Sequence, residues 1–184
     1  MKDVFVTLIY NVALLMVLGN LHNFAYRAPA ALQRRMQLLS GLAIGGIAIA
    51  LMLTPWELAP GLIFDTRTVL MSVSALFFGH IPALIGALVA MIFRLAVGGG
   101  GVWMGVGTII TATALGLAWR FHLARRELPP DAVSLIELTN LGVVVHLALL
   151  LWVLALPAES RRPTWQAISA PVLLIYPVAT VALA

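Results

Sequence analysis

Arg67 and Arg94 are the residues of this chain whose type and placement most suggest chemistry. Each lies in or beside an apolar run, and the turn-like stretch Gly79-His80-Ile81-Pro82 falls midway between them. Arg67 precedes Gly79 by twelve residues and Arg94 follows Pro82 by twelve. If both arms are helical, the two guanidinium groups sit at one depth, roughly 18 Å from the turn at about 1.5 Å per residue. An ionisable residue inside a membrane points to function by default, and two cations at one level ask for an anion.

The residues after Arg94 extend that reading. A glycine run, residues 98–101, breaks the helix and lets backbone approach a ligand, and the helix after it offers N–H groups at its N-terminus, an anion site. Gly105 and Thr108 follow, the latter with a hydroxyl. An arginine can grip a carboxylate with two parallel hydrogen bonds. The candidate ligand-binding set is therefore Asp65, Arg67, Arg94, Gly101, Gly105 and Thr108. The competing reading is internal pairing, Asp65 with Arg67 and Glu137 with Arg94, or snorkelling to headgroups. The residues alone leave the two open.

The rest of the composition says what must position these groups. The 184 residues are 62% hydrophobic and 10% charged, with a mean hydropathy of +1.04. A soluble domain is closer to half apolar and a quarter charged. The apolar runs are continuous rather than alternating, so the spans are helices and not barrel strands. Seven segments separate: 4–23, 37–53, 68–78, 81–97, 102–119, 133–156 and 164–184. The expected fold is an all-α transmembrane bundle of about six to seven spans, with the third segment too short to cross with ease. The first run lacks a good cleavage site and is read as a retained span.

Orientation follows from the basic residues. Arg27, Arg34, Arg35, Arg120, Arg125 and Arg126 fall on one side, against Lys2, Arg161 and Arg162 on the other. The positive-inside rule then places the N-terminus outside, the C-terminus and the Gly79 turn in the cytoplasm, and both arginines of the pair in the outer half. The net charge of +4 is explained this way, and no nucleic-acid partner is expected.

Other chemistry is thin. There is no cysteine, and His22, His80 and His122 sit at loop edges without ligand spacing, so no metal ion or cofactor is expected. No nucleophile lies near a base and no phosphate-binding loop is present, so no catalytic residue is assigned. Glu137 and Asn140 share a helix face, with His146 roughly opposite, and the three are expected to hydrogen-bond between helices. Gly41, Gly45 and Gly46, Gly86 with Ala90, and Gly101 with Gly105 form small-residue faces for close packing within the chain. Pro171 and Pro177 are expected to kink the last span. The chain, residues 1–184, reads as one membrane domain, with a cytoplasmic domain expected beyond Ala184.

With those residues in view, the sequence resembles the five-transmembrane sensor domain of the LytS-YhcK type. The resemblance rests on Phe64-Asp65-Thr66-Arg67, on Leu76-Phe77-Phe78-Gly79-His80-Ile81-Pro82-Ala83, and on Arg94 with the glycine run after it. Gly105 and Gly116 fit the next helix, and the stretch from Ala170 to Pro177 adds a weaker match. The resemblance implies a receptor domain in the bacterial inner membrane, without catalysis of its own, placed before a histidine kinase or diguanylate cyclase. It implies a homodimer, and a pyruvate-like small carboxylate held at Arg67, Arg94 and the helix after the glycines. Gly105, with no side chain, departs from that pattern. The alternative is a capture subunit of an energy-coupling-factor transporter, whose fold looks similar.

Overall fold

The computed structural model describes residues 29–53, 56–59, 62–64, 66–127 and 133–183. The segment 4–23 and Asp65 lie outside the described residues. After a 3-10 turn at Ala30–Leu32, six α-helices follow: α1 (Gln33–Leu53), α2 (Arg67–Phe78), α3 (His80–Val97), α4 (Val102–Arg125), α5 (Leu135–Leu151) and α6 (Ala158–Leu183). A short antiparallel hairpin, β1 (Trp56–Ala59) and β2 (Leu62–Phe64), connects α1 to α2. A 3-10 stretch, Trp152–Ala155, extends α5.

Among the described residues, four helices are long and apolar enough to cross a membrane. They are α1, α3, α4 and α5 with its extension, and α6 makes a fifth if its two bent halves count as one span. The expected third span is α2. Its 12 residues give a length of about 18 Å, short of the roughly 30 Å hydrocarbon core. Every residue from Thr68 to Leu76 is buried. Buried on every face, its serines and Thr68 included, α2 is the post around which the others stand.

Small residues set the packing. A Cβ on Gly41 would lie 2.7 Å from Ile85 Cβ, one on Gly45 2.6 Å from Val89 Cβ, and one on Gly86 2.6 Å from Ile44 Cγ2. The constant offset from 41 to 85 and from 45 to 89 makes α1 and α3 parallel neighbours. Gly46 has open space around its Cβ position. Gly116 brings α4 against the backbone of Ser72 and Cβ of Ala75 on α2. Gly142 of α5 meets Pro177 and Thr180 of α6. The small-residue faces on α1 and α3 therefore serve packing within the chain.

The turn between α2 and α3 is the single residue Gly79, whose φ of 82° favours glycine. Pro82 falls in the first turn of α3, where a missing N–H costs little. Arg120, counted above with the loop residues, reaches into the bundle. Its Nη1 donates to the carbonyls of Leu76 at 2.6 Å and Phe77 at 3.0 Å, capping the C-terminus of α2. Arg34 and Arg35 start α1, parallel to α3, so they share this end with Gly79, Arg120, Arg125 and Arg126. Ser134 caps α5 by accepting from the Glu137 N–H.

α6 begins at Ala158, six residues before the apolar run, so Arg161 and Arg162 lie on the helix and not in a loop. Its bend of 49° falls between Ala170 and Val172, at Pro171. Pro177, the other expected kink, packs against Gly142 in the second half.

Candidate functional site

Arg67 opens α2 and Arg94 lies in the last turn of α3, so the hairpin about Gly79 returns both to the end away from the turn. There they line one cavity of about 730 Å³. Its other walls include the glycine run, Met104, Gly105 and Thr108 of α4, Leu149 of α5, and Glu159, Thr164, Ala167 and Tyr176 of α6. Such a volume lies within the roughly 300–1,000 Å³ of small-molecule sites. The structure thus brings Arg67, Arg94, Gly101, Gly105 and Thr108 together. Asp65 and its suggested pairing with Arg67 fall outside the described residues.

The glycines act in two ways. Gly98 and Gly99, with φ of 68° and 90°, turn the chain from α3 into α4. Gly101 and Gly105 do not meet another helix backbone, as their spacing suggested. They leave room for the Arg94 side chain. A Cβ on Gly105 would overlap Arg94 Nε and lie 3.0 Å from its Cδ, and one on Gly101 would lie 3.5 Å from Nη2. The arginine lies across the glycine face of α4, and its Nη1 donates to Gly98 O at 3.0 Å. The missing side chain at Gly105 therefore has a function here: it seats the cation.

Two expectations need correction. Glu137 does not reach Arg94. It accepts from Trp119 Nε1 at 2.9 Å and Arg126 Nη1 at 3.3 Å, at the far end of α4. The N-terminus of α4 is also partly used, since the Val102 N–H donates to Gly99 O at 3.1 Å. Thr108 lines the cavity, but its hydroxyl donates to Gly105 O at 2.9 Å.

Sequence reasoning missed the floor of the cavity. His146 is fully buried, with Nε2 at 3.3 Å from Thr68 Oγ1 and its ring edge-on to Tyr176 at 4.8 Å between centroids. Thr68 and Tyr176 both line the cavity. Interhelical bonding was expected for Glu137 and His146 and is found for both, whereas Asn140 is exposed. The signal that would have located the floor is Thr68 itself, a hydroxyl next to Arg67. Among the described residues no group of metal-ligating side chains occurs.

Fold and cavity together define a class: a multi-pass helical membrane protein with a small-molecule cavity in the bundle, walled by arginines from two helices. A family model described as 5TMR of 5TMR-LYT matches residues 20–184, and the chain belongs to that family, the five-transmembrane sensor domains of the LytS type. It is thus a membrane sensor domain of the kind found in signalling proteins. No curated protein and no solved structure matches the chain.

Proposed function

We propose that this domain senses a small carboxylate entering the cavity from the non-cytoplasmic side. The reading rests on one observation: guanidinium groups from two helices line the same cavity, over a glycine face cut to seat one of them. Charge-assisted, bidentate hydrogen bonds make arginine the natural partner of a carboxylate. The orientation rests on Arg34, Arg35, Arg120, Arg125 and Arg126, gathered at the opposite end, which the positive-inside rule assigns to the bacterial cytoplasm.

The signal leaves through α6 to a cytoplasmic histidine kinase or diguanylate cyclase domain, in a homodimer. α6 supplies Glu159, Ala167 and Tyr176 to the cavity, bends at Pro171, and runs antiparallel to α5 toward the basic end. A ligand shifts an equilibrium only through its differential affinity for the two states. Contact with both halves of a bent helix supplies such a difference.

The test is titration calorimetry of mono- and dicarboxylates on the purified domain, wild type against Arg94→Ala. Removing one partner of a desolvated charged pair costs about 2–5 kcal/mol. Equal affinity in the two proteins, or no heat from any carboxylate, would overturn the proposal.

A further inference from the structure

The cavity is much larger than the smallest carboxylates need. Even granted a water's share of about 30 Å³ for each non-hydrogen atom, a three-carbon keto acid fills only about 180 Å³. The cavity holds about 730 Å³. What the remaining space is built from decides what could fill it.

The inner walls are core. Leu149 and Ile168 belong to the buried apolar cluster between α2, α5 and α6, and Met104, Leu156 and Ala167 pack against it. All five line the cavity. On α6, Ser160, Thr164, Ala167 and Ile168 follow one another at i, i+4, i+7 and i+8, so they share a face. That face is hydroxylic in the turns beside the arginines and apolar in the turn after them. The outer hydroxyls, Ser160 and Thr164, thus stand at the Arg94 end, where Leu156 and Arg94 both border Gly101. Further in, Thr68 faces His146, Thr108 donates to Gly105 O, and Tyr176 sets its ring edge-on to His146. A water beside Met104, Leu149 and Ile168 needs at least about two polar partners, and these side chains offer none.

We infer, on the carboxylate reading above, that the ligand is amphiphilic: a carboxylate with an apolar side chain long enough to reach Leu149 and Ile168. Its carboxyl group meets Arg67 and Arg94, and any oxygen beside that group meets the outer hydroxyls. Its side chain covers the apolar wall that a three-carbon acid leaves wet. Burying that surface favours the longer acid without any further polar contact.

Calorimetry on the whole domain in nanodiscs, with empty nanodiscs subtracted, tests this on a homologous series: pyruvate, 2-oxobutanoate, 2-oxopentanoate and 4-methyl-2-oxopentanoate. Affinity should rise about fourfold for each carbon added, reaching about 50-fold for the branched acid over pyruvate. The wild-type series alone decides the question, so no variant has to fold for the inference to fail. Ala167→Phe and Met104→Phe each fill part of the apolar end. Each should remove most of the branched acid's advantage and leave pyruvate within a few-fold, whereas Arg94→Ala should weaken every member. Affinity that is flat or falls along the series, with Arg94→Ala still weakening pyruvate, would overturn this inference and leave the carboxylate reading intact. A gain that survives in both filled variants would put the side chain elsewhere and overturn it too. No binding of any acid would overturn both.

Discussion

Adding one methyl group to Gly105 should test whether the arginine seat matters. The Cβ of Gly105→Ala would overlap Arg94 Nε and come within 3.0 Å of Cδ and 3.1 Å of Cγ. The obstructing atoms belong to a flexible side chain, so Arg94 moves and the helices stay. Overpacking of this kind costs about 1–3 kcal/mol, and the lower end applies where one side can swing away. The larger loss falls on ligand affinity. Swinging Arg94 off α4 breaks its bond to Gly98 O and withdraws the guanidinium from its place on the cavity wall. Loss of a desolvated charged partner is worth about 2 kcal/mol at least, or roughly 30-fold in Kd.

The assay pairs calorimetric binding with thermal unfolding on the same preparation. Gly46→Ala serves as the control, because nothing lies within 4 Å of its Cβ position. The expected pattern is a nearly native melting curve with at least about 30-fold weaker carboxylate binding for Gly105→Ala, and neither change for Gly46→Ala. Affinity within twofold of wild type, in a protein where Arg94→Ala abolishes binding, would refute the reasoning. Arg94 would then grip the ligand from a pose that does not use the glycine face.

Gly116→Ala should be far more damaging than Gly105→Ala, since its Cβ meets the Ser72 backbone and Ala75 Cβ at 2.8 Å, and neither can rotate away; loss of folded protein in detergent extracts is the readout. Arg120→Met removes two bonds to the last carbonyls of α2, at the end away from the cavity. It should lower stability by about 1.5–3 kcal/mol and leave carboxylate affinity unchanged in calorimetry. Pro177→Ala should leave ligand affinity within a few-fold but alter output in a full-length signalling protein, measured as kinase or cyclase activity; a normal response would mean that its fit against Gly142 is packing alone.

The convergence of Arg67 and Arg94 was legible because depth in a hairpin is a matter of counting residues from the turn. The close approach of α1 to α3 was legible in Gly41, Gly45 and Gly86, which offer no bulk to keep helices apart. Which helices become neighbours is a different question. Glu137 is as plausible a partner for Arg94 as for Arg126 until α5 is placed, and the placement sets it beside Trp119 and Arg126. The start of α6 was hidden for another reason. Pro163 with Arg161 and Arg162 reads as a loop, yet the helix runs through Pro163 without its bond to the Glu159 carbonyl, and six residues before the apolar run are helical. Glu159 reached the cavity wall through that extension.

The short helix α2 ties these points together. A helix that crossed the whole membrane would carry its first residue to the surface, where water screens a cation. At about 18 Å, α2 is too short to do so. Its sequence then fixes three things in a row: Arg67 at the cavity, Thr68 on the cavity wall and bonded to His146, and buried residues to Leu76. His146 stands between α2 and α6, against Thr68 on one side and Tyr176 on the other, and its Nδ1 proton goes to Gly142, which abuts Pro177. A displacement of Thr68 would therefore meet the bent helix through one buried ring. Packed interiors deform little and switch between discrete arrangements, so a displacement of Thr68 would reach α6 through the ring whether or not Tyr176 itself is touched.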